Sequence, residues 1–87
     1  MMVPRATDAM PTRFYVKDLP PSFRDEHLRT LVAPFGTVIR ASVITTMSGE
    51  SLPLAYVEMS QPEDAANAVQ RLHQTLIEGH VVVVGYL

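Results

Sequence analysis

The 87-residue chain contains no cysteine. That removes disulfide staples, thiolate metal ligands and cysteine nucleophiles together. No apolar run approaches the roughly 20 residues that a bilayer-spanning helix needs. The opening stretch, MMVPRATDAMPT, lacks the apolar centre of a secretion signal, so a cytoplasmic location is expected. The four glycines stand apart and do not gather into a phosphate-cradling loop. Positive charge is scarce, with seven Lys and Arg against nine Asp and Glu and a formal net charge of −2. Nonspecific nucleic-acid affinity rests on neutralised phosphates and released counterions. Any such activity in this chain must therefore come from where the cations are placed, not from their sum.

The parts for catalysis are also missing. His27, His73 and His80 show no H-x-x-x-H spacing, and the hydroxyls have no G-x-S-x-G setting. The acidic pairs Asp25-Glu26 and Glu63-Asp64 fall where helices are expected to begin, and the helix dipole favours negative charge there. The chain is expected not to be an enzyme, and no cofactor, metal or small-molecule substrate is expected.

Hydrophobic residues make up 47% of the sequence, which is enough for one packed core. The length fits one domain. Residues 1–12 hold Pro4 and Pro11 with no apolar period and read as a flexible leader to a domain over 13–87. Phe14 to Lys17 reads as a strand, stopped by Asp18-Leu19-Pro20-Pro21. Ser22 and Asp25 have capping-box spacing, and Leu28, Leu31, Val32 and Phe35 follow at helical intervals, predicting a helix from Phe23 to Ala33. Val38 to Thr45 and Leu54 to Met59 read as strands around a turn at Gly49, with Pro53 at the start of the second. Ser60 and Glu63 repeat the capping spacing before Ala65, Ala68, Val69 and Leu72, a second helix. A turn at Gly79 then leads to a valine-rich strand from Val81 to Tyr86.

The order is strand, helix, strand, strand, helix, strand. It predicts an α+β, ferredoxin-like β-α-β-β-α-β sandwich with a four-stranded antiparallel sheet. Two helices cover one face of such a sheet, so the other face is left open as a platform.

The motifs on that framework resemble the RNA-recognition-motif family, whose first strand carries a hexamer and third strand an octamer with base-stacking aromatics. Phe14-Tyr15-Val16-Lys17-Asp18-Leu19 is similar to the hexamer. Leu52-Pro53-Leu54-Ala55-Tyr56-Val57-Glu58-Met59 stands at the octamer, matching the family at Ala55, Tyr56 and Val57 and departing at Leu52, Pro53, Leu54 and Met59. Phe35-Gly36-x-Val38, the Glu63-to-Leu72 helix and Gly79-His80 resemble further landmarks of the family. The compact form and the run Tyr56-Val57-Glu58-Met59 also resemble small bacterial members.

Strand alternation puts Tyr15 and Lys17, then Leu54, Tyr56 and Glu58, on the open face. Arg40, Ser42 and Ile44 follow on the second strand, and Val81 and Val83 on the last. The resemblance implies single-stranded RNA as partner, with Tyr15 and Tyr56 as stacking platforms, Lys17 and Arg40 meeting phosphates or base edges, and Leu54 in place of a third platform. Leu54, Leu52 and Glu58 weaken the motif, so weak, salt-sensitive binding is expected. A second reading stays open. Leu54, Ile44, Val81 and Val83 form an apolar cluster suited to a protein partner, and an exposed Val81–Val84 edge invites homodimer pairing.

Overall fold

A computed structural model describes residues 11–87. The expected leader falls almost entirely outside the described residues. Thr12, at its end, already accepts a hydrogen bond from the Met59 N–H at 2.9 Å. The strands are β1 (Arg13–Lys17), β2 (Val38–Thr45), β3 (Ser51–Met59), β4 (Leu76–Ile77), β5 (His80–Val81) and β6 (Val83–Tyr86). The helices are α1 (Asp25–Val32), extended by a 3-10 turn over Ala33–Phe35, and α2 (Pro62–Leu72). The main sheet runs β2-β3-β1-β6 with antiparallel pairings, and β4 and β5 form a separate two-stranded hairpin. This is the expected ferredoxin-like sandwich.

The core follows from alternation on the strands and helical spacing on the helices. Phe14 and Val16, Ala55, Val57 and Met59, and Ala41 and Val43 turn to the helix side and are buried. Leu28 and Val32 of α1 and Ala65, Ala68 and Leu72 of α2 meet them. Alanine at 65 and 68 lets α2 lie close on the sheet.

Both helices begin differently from the sequence expectation. Arg24, not Ser22, is the N-cap of α1, and the Ser22 hydroxyl donates instead to Glu78 Oε1 at 3.0 Å. His27 takes the reach-back role, its Nδ1 accepting the Arg24 N–H at 2.9 Å. Gln61, not Ser60, caps α2, because the Ser60 N–H is committed to the Thr37 carbonyl at 3.0 Å. Pro53 lies inside β3 and not at its start. Its missing N–H is tolerated because the β2–β3 ladder is irregular there, Val43 facing Ala55 while Thr45 faces Ser51. The last sheet strand begins at Val83, and Val81 belongs to the small hairpin.

Freed from capping, Asp25 becomes a cross-tie. Its Oδ1 accepts the Val43 N–H on edge strand β2 at 2.7 Å. On the opposite edge, His73 Nδ1 accepts the Val84 N–H at 3.1 Å, while Val82 exchanges backbone bonds with Gln74 and Thr75. The expected bare Val81–Val84 edge is therefore partly covered, because the chain leaving α2 folds back along it. Each edge strand has an outward N–H taken by a side chain from a helix end, which blunts edge-to-edge pairing. We expect Asp25→Ala to destabilise the domain by roughly 1–3 kcal/mol by orphaning a half-buried donor. Asp25→Asn, which keeps an acceptor, should recover most of the loss in urea denaturation. Equal stability of wild type and Asp25→Ala would refute the tie.

Candidate nucleic-acid interface

The face of the sheet away from the helices is arranged in three cross-strand rows, fixed by register. The middle row is aromatic. Gly85 on β6 faces Tyr15 on β1, which faces Tyr56 on β3, which faces Ser42 on β2. Directly opposed residues on one face have Cβ atoms about 4.5–5.5 Å apart, so the two tyrosines form one continuous surface. Tyr56 is 38% exposed and Tyr15 is half-buried.

Tyr15 is half-buried because its ring leans over Gly85. A Cβ built on Gly85 would lie 2.6 Å from the Tyr15 hydroxyl oxygen and 2.8 Å from Cζ. Only glycine leaves the ring its seat. The Lys17 Nζ stands 5.6 Å from the Tyr15 ring centroid, inside cation–π range.

The second row is apolar around one cation, with Lys17 between Val83 and Leu54. Ile44 lies beyond the β2–β3 irregularity, and Ile44, Leu54 and Val83 are half-buried. The third row is charged. Glu58 on β3 faces Arg13 on one side and Arg40 on the other.

Arg40 owes its position to a β-bulge. Val38 faces Met59, yet Arg40 faces Glu58, so Ile39 is the extra residue and is 56% exposed. Without it, Arg40 would face the inward-pointing Val57 and turn to the core. The bulge re-aims it onto the open face.

The five residues singled out in the sequence, Tyr15, Lys17, Arg40, Leu54 and Tyr56, thus share this face. Arg13 was missed. It lies one residue before the strand expected from Phe14, and one further step of alternation includes it. Gly85 was missed as well, since its role depends on the posture of another side chain.

The sequence model of the RNA recognition motif family matches residues 14–83. The chain is an RNA recognition motif. Polyadenylate-binding protein 2 of Arabidopsis thaliana is 36% identical over 73 residues, which cover 84% of this chain and 12% of that protein. Sex determination protein fox-1 of Caenorhabditis elegans is 38% identical over 74 residues, 85% of this chain and 17% of that protein. The motif therefore spans only a small part of the length of the curated relatives it matches. Among solved structures, RNA Binding Protein PG1 superposes with a TM-score of 0.84 at 31% identity, covering 87% of this chain and 93% of that one. Among the described residues no group of three His, Asp or Glu side chains is placed to hold a metal, and no helix is long and apolar enough to cross a membrane.

Proposed function

We propose that this motif binds short single-stranded RNA on its open sheet face, by stacking bases on Tyr15 and Tyr56. The observation that carries the reading is the direct register of those two rings on a face that no helix covers. Membership of the family and likeness to an RNA-binding protein support it. Stacking is tolerant of sequence because every base has a π-face. Lys17, Arg40 and Arg13 supply phosphate or base-edge contacts around the rings. With Leu54 in place of a third platform and few cations, the affinity is modest.

Up to three cations, each neutralising one phosphate, give a log K that falls with log salt at a slope no steeper than about −2 for single strands. An amide NMR titration of the 87-residue chain with degenerate short RNA at low salt tests the reading. Shifts should centre on Tyr15, Lys17, Leu54 and Tyr56 and fade along that slope. A spectrum unchanged at millimolar RNA sinks it.

A protein partner, or a second copy of the chain, is favoured by one observation, the half-buried Ile44, Leu54 and Val83 around Lys17. Apolar association of that kind holds or strengthens as salt rises, the opposite of the RNA reading.

A further inference from the structure

The acidic residue of the open face sits between two cations. Glu58 has Arg13 directly opposite on β1 and Arg40 directly opposite on β2. The three side chains line one hollow of about 410 Å³, together with Ser42, Tyr56 and Leu87. Glu58 is half-buried in it, while both arginines are exposed. A lone carboxylate on a nucleic-acid face repels phosphate. One with an arginine opposite on each neighbouring strand has two positive charges in its row against its one negative, and a carboxylate offers two acceptor oxygens.

We infer that this hollow is a guanine-selective subsite, in which a base stacked on Tyr56 turns its Watson–Crick edge toward Glu58. The inference rests on the RNA-binding reading above. Its chemistry is a matching of donor patterns. Guanine presents two adjacent donors, N1–H and the N2 amino group, which pair with the two carboxylate oxygens. Its neighbouring O6 is an acceptor for Arg13 or Arg40, which carry only donors. Adenine and cytosine each offer one amino group beside an unprotonated ring nitrogen. That nitrogen would face a carboxylate oxygen, acceptor against acceptor. Uracil offers a single N–H between two carbonyls and is the worst match. Single-stranded RNA is read on these edges once its bases are unstacked from one another. The bulge at Ile39 is what completes the pocket, since it brings Arg40 opposite Glu58. The bland reading of the same row is a cross-strand charge ladder that steadies the sheet, and it predicts no base preference.

Binding of the 87-residue chain to adenine-rich RNA hexamers that differ at one position separates the two. Guanine at the best position should bind about tenfold tighter than uracil there, within the discrimination of a good bidentate pair. Inosine, which lacks only the N2 amino group, should lose most of that gain. In Glu58→Gln the guanine-to-uracil ratio should fall toward one, with the amide spectrum showing that the fold is kept. Binding of all hexamers without a guanine preference overturns this inference and leaves the RNA reading intact. A preference undiminished in Glu58→Gln overturns it as well. Absence of binding to any hexamer overturns both.

Discussion

Replacing Tyr15 and Tyr56 together by alanine is expected to weaken RNA binding by about thirtyfold to a hundredfold. Each base stacked on an aromatic ring is worth roughly 1–3 kcal/mol by alanine substitution. The two rings face each other across β1 and β3, so their losses are not strictly additive. The low end of the sum, about 2 kcal/mol, already corresponds to about thirtyfold. The single variants should each lose about tenfold, which is about 1.4 kcal/mol and lies in the lower half of the stacking range. Both side chains point away from the core, so the double variant should keep its amide dispersion and stay folded, with a midpoint lowered only by the lost cross-strand pair. Fluorescence anisotropy with a labelled hexamer reads the loss. A double variant that binds within about twofold of wild type, against the tenfold expected per ring, would show that the bases lie elsewhere.

One residue away the outcome should be reversed. Phe14→Ala is expected to destabilise the domain by about 3–5 kcal/mol, the range for truncating a buried phenylalanine. Phe14 is fully buried, and its strand is an inner one, flanked by β3 and β6. The vacated volume cannot easily collapse, because the backbone on both sides is held by ladders to Val57 and Tyr86. A small domain has about 5–15 kcal/mol in all, so much of the population should unfold at modest temperature or low urea. Urea denaturation gives the number directly. A loss below about 1 kcal/mol, far under the range for such truncations, would mean that Phe14 is not the core residue its burial makes it. Neighbouring substitutions, one removing binding and the other removing the fold, are the functional expression of a two-residue repeat.

That repeat is why so much of the molecule was legible in its sequence. Phe14, Tyr15, Val16 and Lys17 fall on the expected faces, as do Leu54 through Met59. The helices were readable from Leu28 and Val32 and from Ala65, Ala68 and Leu72, because burial repeats at helical spacing. The details that escaped depend on partners distant in the chain. Ser22 and Ser60 have capping spacing, but Glu78 claims the hydroxyl of one and Thr37 the N–H of the other. Local spacing carries no information about such competitors. The bulge at Ile39 has no glycine or proline to announce it, so the register that places Arg40 beside Glu58 could be read only from the strand pairing. Glu58 itself, a liability when counted as one more negative charge, changes meaning once both of its neighbours are known.

The ring of Tyr15 resting across Gly85 bears on the thermodynamics of binding in a way that contact alone does not describe. A side chain free to sample its rotamers gives up about 0.5–1.5 kcal/mol when a ligand immobilises it. Tyr15 is already parked in the unbound domain, with its hydroxyl end over the one residue that has no side chain to displace it. Much of that entropic penalty is therefore met during folding, before any RNA arrives. On the proposed stacking reading, Gly85 would contribute to affinity without touching the ligand, as a pre-organising element on the strand next door. With leucine at 54 where the proposed reading would place a third platform, such rigidity would offset part of the missing stack.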